Sequence, residues 1–114
     1  MTINSFEEII AWQKAKVLTK DVYLITKSIN DRGYVSQLQR AAVSIMNNIA
    51  EGYERRSNKE FRQFLYIAKG SCGETRSMII LGSDIGYIKR EKASELIELS
   101  KEISKILSGF IKSL

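Results

Sequence analysis

The fold of this chain is decided by residues 37–72, which read QLQRAAVSIMNNIAEGYERRSNKEFRQFLYIAKGSC. From Leu38 to Ile49, apolar residues recur at steps of three and four, a spacing that places them on one stripe of an α-helix. A second stripe of this kind runs from Phe61 to Cys72. Residues 53–60, which join the two, are rich in charge and long enough only for a corner between helices. We therefore predict two antiparallel helices in contact.

Capping residues and glycines place the ends of four predicted helices. Helix 1 begins at a capping box formed by Ser5 and Glu8, and the polar run at 30–33 ends it. Helix 2 covers residues 34–51, with Gly52 as the left-handed residue after its end. A second capping box at 57–60 opens helix 3, which extends to residue 84, and helix 4 covers residues 90–113. Residues 1–114 are thus predicted to form a single all-α domain, an antiparallel up-down-up-down four-helix bundle.

Two helices carry more apolar surface than one small bundle can bury. Helix 1 has a second apolar stripe beside the one that faces the core, and helix 3 is apolar on several sides near residue 80. Either the buried arc of helix 1 is unusually wide or its outer stripe meets another subunit, and the apolar surface of helix 3 favours the second explanation. We therefore predict that copies of the chain associate. The residues expected at the interface between subunits are Ile10, Val17, Leu24, Met78, Ile80 and Leu81.

Gly70 and Gly73 interrupt helix 3, each at a cost of about 1 kcal/mol relative to alanine. Glycine inside a helix usually has a packing reason, because the missing side chain lets another helix approach. We therefore expect a neighbouring helix to lie close to both residues.

The overall composition favours an anionic partner. Lysine and arginine number 18 against 13 acidic residues, for a net charge of +5. Such a balance is typical of nucleic-acid-binding proteins but is shared by many that bind nothing anionic. The N-terminus lacks the pattern of a signal peptide, and the longest run without charge, residues 41–50, is too short to cross a membrane. We expect a cytoplasmic protein without a membrane partner, and the single cysteine agrees with a reducing compartment.

Several classes of chemistry are excluded by residue type. The chain has no histidine, which removes serine and cysteine triads and imidazole-based metal sites. Cys72 falls on the apolar stripe of helix 3, where a buried, inert thiol is expected. Three carboxylates, Glu51, Glu60 and Glu74, could supply acid–base chemistry, but a helix end and a cap explain two of them. We expect no catalytic residue, no metal and no cofactor.

One group of cations repeats along helix 3. Arg55, Arg62, Lys69 and Arg76 recur every seven residues, a spacing that drifts only about 20° per step on a straight helix. Cations in such a row, about 10 Å apart, match a nucleic-acid backbone. Two more lie at the top of the row and one on helix 2 adds charge, so the predicted nucleic-acid-binding residues are Arg40, Arg55, Arg56, Lys59, Arg62, Lys69 and Arg76.

A structural interpretation of the same cations is equally open. Long basic side chains often cover the seam beside an apolar stripe and pair with acids across it. Glu51, Glu54, Glu60 and Glu74 are the candidate partners. Sequence alone does not separate paired cations from free ones.

The chain resembles the four-helix-bundle proteins encoded by intervening sequences in bacterial 23S ribosomal RNA genes. The resemblance rests on WQKA at 12–15, QLQRAAVSI at 37–45, NIAEG at 48–52, EFRQFLYIAKGS at 60–71 and GYI at 86–88. The accessory variability protein of diversity-generating retroelements is a member of the same group. The chain departs from the pattern where Asn30 and Met46 replace proline, where Gln39 replaces an arginine, and at Gly73.

The resemblance implies a bacterial cytoplasmic protein that assembles as a ring-like homopentamer. In the retroelement branch it further implies binding of nucleic acid and association with a reverse transcriptase. Two hypotheses follow. In the first, the chain is a non-enzymatic homopentamer that binds RNA or DNA without sequence specificity. In the second, it is a protein-interaction scaffold, for example an accessory subunit of a polymerase, with no direct nucleic-acid contact.

Overall fold

The computed structural model describes residues 3–114, and within this range every regular element is helical. A 3-10 turn, Phe6–Glu8, precedes four α-helices. They are α1 (Ile10–Thr26), α2 (Arg32–Glu54), α3 (Asn58–Asp84) and α4 (Arg90–Ser113). None of these helices is both long and apolar enough to cross a membrane. The prediction of four helices and no strand is confirmed for residues 3–114.

Side chains cap two of the helices at their N-termini. The Asp31 carboxylate accepts from the backbone N–H of Tyr34 at 3.1 Å, and α2 begins directly after it. The Ser57 hydroxyl accepts from the N–H of Glu60 at 3.3 Å, as predicted for helix 3. Each cap satisfies one of the free N–H groups of the first turn.

The predicted capping box at the start of helix 1 is wrong. Ser5 makes no side-chain capping bond and stands before the 3-10 turn, while α1 begins after Ile9. The Glu8 carboxylate instead accepts from the N–H of Asn4 at 3.4 Å. The 30–33 run does not end helix 1 either, because α1 ends at Thr26 and α2 begins at Arg32.

The predicted role of Gly52 is also wrong. α2 continues through Gly52 to Glu54, and the left-handed residue of the corner is Arg56, with φ of 61°. Gly52 is buried inside the helix, where its backbone meets Phe61 and Phe64 of α3. Glycine is needed at this position because a Cβ atom would lie too close to the Cβ of Phe64 and to a ring carbon of Phe61.

The core is formed by one buried stripe from each helix. α2 packs against α1 and α3, and α4 packs against α3 and α1. The start of α2 lies beside the end of α3, where the Tyr34 hydroxyl donates to the Met78 carbonyl oxygen at 2.6 Å. The largest fully buried side chains include Leu18, Leu38, Ile45, Ile49, Leu65, Ile79, Leu96, Ile103 and Leu107.

Candidate nucleic-acid interface

Three cations of the predicted row, Arg62, Lys69 and Arg76, lie within α3, on the flank that faces α4. Arg62 donates from Nη1 to the backbone oxygen of Leu114 at 2.7 Å. Lys69 and Arg76 follow at seven-residue steps and flank Cys72, whose thiol donates to the Ser100 carbonyl oxygen of α4. The three cations therefore follow one seam of the bundle. We call Arg62, Lys69 and Arg76 the basic seam.

No acidic side chain within residues 3–114 forms an ion pair with the basic seam. The facing flank of α4 carries Ser100, Ser104 and Ser108 at four-residue steps, where carboxylates would be needed for pairing. The ion pairs of α4 lie on other sides of the helix, as in Lys14–Glu102 at 3.0 Å. Arg62 is held by the oxygen of Leu114, whereas Lys69 and Arg76 keep their positive charge without an acidic side-chain partner in the described part of the chain.

The predicted cations at the corner between α2 and α3, which are Arg55, Arg56 and Lys59, differ in whether they have acidic partners. Arg55 is held by two carboxylates, Glu51 at 2.8 Å and Glu60 at 3.8 Å, and its guanidinium lies 5.1 Å from the ring centroid of Phe64. The structural interpretation therefore applies to Arg55. Arg56 and Lys59 are exposed and extend the positive surface beyond the end of the seam.

Arg40 does not belong to this surface. It lies on α2 beside Gln37, Ser44 and Glu74. Glu74 is five residues from Lys69, which at 100° per residue places it about 140° around α3 from that lysine. The structure thus brings Arg62, Lys69 and Arg76 together and leaves Arg40 on another face.

The expected packing of Gly70 and Gly73 is wrong. A Cβ atom at either position would meet no atom within 4 Å. Both glycines border the outer surface of α3, next to Tyr66, whose side chain is 61% exposed. The close approach expected there is made instead by Gly52 and by Gly82, which lies against the hydroxyl of Tyr34.

The residues predicted to meet other subunits are open in all but one case. Ile10, Val17 and Leu24 form an outer stripe of α1, with exposed fractions of 54%, 52% and 59%. Ile80 and Leu81 are each 45% exposed on α3. Met78 differs, because it is partly buried against the core of its own chain. The interface between subunits stays a prediction.

Sequence reasoning missed an apolar cleft of about 880 Å³ at the corner end of the bundle. Its lining includes Ile3, Ile9, Phe61 and Phe110, with Arg56 at one side. The Tyr53 hydroxyl holds the N-terminal segment there by donating to the Ile3 carbonyl oxygen at 2.7 Å. Four separate segments meet in this cleft, and no local pattern indicates that they do.

The Cys72 thiol, which could in principle act as a nucleophile, is buried between α3 and α4. Burial raises the pKa of Cys72 to about 11, although Arg76 and Lys69 partly oppose the shift. The thiol is therefore protonated and enclosed, as expected from its place on the apolar stripe. Within the described part of the chain, histidine, cysteine and acidic side chains form no cluster that could hold a metal ion.

Comparison with known proteins gives a family and similar solved structures. The family model described as 23S rRNA-intervening sequence protein matches residues 7–109. A crystal structure of a protein of unknown function from the S23 ribosomal protein family of Bacteroides thetaiotaomicron superposes with a TM-score of 0.82 at 27% identity. The match covers 90% of this chain and 99% of that one. No curated protein matches the chain.

Proposed function

The chain belongs to the family of 23S rRNA-intervening sequence proteins, and we propose that it is a non-enzymatic, homopentameric protein that binds RNA or DNA without sequence specificity. The observation that carries this proposal is the basic seam. Its three cations form no ion pair with an acidic side chain within residues 3–114, and they are spaced at seven-residue steps along α3. Phosphate contacts of this kind position a nucleic acid without reading its bases.

The proposal includes an up-down-up-down course of the four helices. Two contacts support it for α2 and α3: Tyr34 near the start of α2 bonds to Met78 near the end of α3, and Gly52 meets Phe64 at the opposite ends. The connections to α1 and α4 are equally short, which favours antiparallel neighbours.

Association into a ring would multiply the effect of the seam. The outer stripe of α1 and the exposed residues 80 and 81 of α3 offer apolar surface that a second copy can cover. Each added copy repeats the same cations, so a ring would bind a long nucleic acid through several seams at once. A bacterial cytoplasm is the compartment in which such a protein would meet RNA and DNA.

The test is charge reversal of Lys69 and Arg76, which make no side-chain hydrogen bond within the described residues and can be changed at little cost to the fold. Binding of labelled RNA and DNA is measured by fluorescence anisotropy at several salt concentrations. We expect affinity to fall steeply with salt and the log–log slope on duplex DNA to shrink by about 0.9 for each lost cation. The matched control is Lys20→Glu with Lys105→Glu, two exposed lysines away from the seam that remove the same charge.

Affinity that is equal in the seam variant and the control variant would contradict the proposal. A second candidate function, a scaffold for a protein partner such as a polymerase or reverse transcriptase, is favoured by the exposed stripe of α1. In that case a purified polymerase would be retained by the wild-type chain after nuclease treatment and lost by Val17→Lys, with no direct binding of nucleic acid.

A further inference from the structure

Beside the basic seam, a second line of residues follows α3 at the same seven-residue spacing. It comprises Lys59, Tyr66 and Gly73. Tyr66 is four residues from Arg62 and three from Lys69, so its ring stands next to both cations on the helix surface. Tyr66 is 61% exposed, so its ring is open to solvent.

The glycines of α3 leave the helix backbone uncovered beside this ring. Gly70 and Gly73 lie four and seven residues after Tyr66, which puts them on the adjacent turns of the same face. No atom lies within 4 Å of the place where either Cβ would be. Because glycine costs helix stability at both positions, the bare backbone lowers stability without being explained by any contact within the protomer.

We propose that this face of α3 binds single-stranded nucleic acid, with an unpaired base stacked on Tyr66 above the bare backbone at Gly70 and Gly73. The inference rests on the proposed function and specifies its ligand. The phosphates on either side of the stacked base contact the basic seam and Lys59. Aromatic side chains beside a positive groove bind single strands in this way, because every base has a face that can stack. In a duplex both faces of each base are already stacked, so Tyr66 contributes only to the single strand.

The apolar end of α3 is separate from this site. Ile80 and Leu81 begin 14 residues beyond Tyr66, which is about 21 Å along the helix axis. Gly73 is seven residues, or about 10 Å, from Ile80, so a second copy that covers residues 80 and 81 must end before Gly73 for the site to stay accessible. The proposed contacts are made to bases and phosphates, which RNA and DNA share. None is made to a ribose hydroxyl, so the two glycines, Tyr66 and the cations should bind single strands of either kind.

The experiment uses the full chain and four labelled probes: an oligoadenylate and an oligodeoxyadenylate, each as a single strand and as a duplex with its complement. We expect both single strands to bind more tightly than the duplexes. Tyr66→Leu should weaken single-strand binding about fivefold or more and leave duplex binding unchanged. Tyr66→Trp should retain the preference. The salt slope should not change with either variant, since no charge is lost.

A second variant separates stacking from folding. Gly73→Leu covers the bare backbone with a side chain and should weaken single-strand binding. It also raises helix propensity, so it should not unfold the protein. Gly109→Leu is the matched control, because Gly109 is an exposed glycine of α4 that is also free of neighbours within 4 Å. It should leave binding unchanged.

Three results would overturn the inference: duplexes bound as tightly as single strands, unchanged single-strand binding by Tyr66→Leu, or a fall in oligomer mass caused by Tyr66→Leu, which would make this face a contact between copies. In each case the proposed function stands if Lys69→Glu with Arg76→Glu still weakens binding and lowers its salt slope. If that double variant has no effect on any probe, the proposed function fails as well.

Discussion

The backbone of Gly52 lies against the side chain of Phe64, so that a Cβ atom at position 52 would be only 2.6 Å from the Cβ of Phe64. The same atom would lie 2.9 Å from Cδ1 of Phe61. This contact brings the end of α2 onto the start of α3 and sets the corner from which the basic seam begins.

Gly52→Ala should therefore destabilise the protein. The added methyl group overlaps a buried ring and a Cβ atom that belongs to a helix, and overpacking of this kind costs about 1–3 kcal/mol. Gly70→Ala is the matched control, since it adds the same group where nothing lies within 4 Å and should stabilise the helix by up to about 1 kcal/mol. Urea denaturation of both variants gives the comparison. Equal shifts in the two midpoints would show that the contact at Gly52 carries no strain.

The Asp31 cap of α2 should make the stability of the protein depend on pH in the acidic range. Hydrogen bonds from the Tyr34 amide and the Tyr87 hydroxyl hold the pKa of Asp31 below its ordinary value of 3.8. Because the folded state has the lower pKa, this contribution is fully present above the unfolded value and is lost as pH falls through the folded one. Between neutral pH and pH 3.8 or lower, wild type should lose more stability than Asp31→Asn. Parallel losses in the two proteins, measured by urea titration, would exclude Asp31 as a source of the pH dependence.

The hydroxyl of Tyr34 should contribute to the pairing of α2 with α3. It donates to the Met78 carbonyl oxygen at 2.6 Å and lies against Gly82. Tyr34→Phe removes the bond while keeping the ring, and the expected loss is about 0.5–1.5 kcal/mol. Thermal unfolding followed by circular dichroism measures it. A Phe variant as stable as wild type would mean that water replaces the bond at no cost.

The outer stripe of α1 should hold copies of the chain together. Val17→Lys with Leu24→Lys places two charges on residues that are more than half exposed in the protomer and that we expect to be buried in the oligomer. Light scattering on a sizing column should show a multiple of 13.0 kDa for wild type and a lower mass for the double variant. Ser94→Lys, an exposed substitution on α4, should not change the mass. A wild-type mass of one protomer would remove the proposed ring.

The thiol of Cys72 should be unreactive in the folded protein. It is fully buried, donates to the Ser100 carbonyl oxygen at 2.9 Å, and has a pKa of about 11, so little thiolate exists near neutral pH. Labelling with a thiol reagent should proceed only when urea unfolds the chain. Rapid labelling without urea would indicate local opening between α3 and α4.

The sequence by itself determined the helices, because their hydrogen bonds and stripes join residues three and four positions apart. It predicted both ends of α4, the cap of α3 at Ser57, the buried position of Cys72 and the open stripe of α1. The predictions at Ser5 and at Gly52 were wrong, and both concerned helix ends. The residue at which a helix begins or ends depends on tertiary packing as well as on local sequence.

Only the tertiary structure decided which glycines make close contacts and which cations stay free. Gly52 and Gly70 look alike in sequence, yet one meets Phe64 and the other meets nothing, because the difference lies in a neighbouring helix. Arg55 is paired while Arg62 reaches Leu114, which is 52 residues away along the chain. Contacts between distant segments depend on how helices pack and rotate against one another, and that information is not contained in any local spacing.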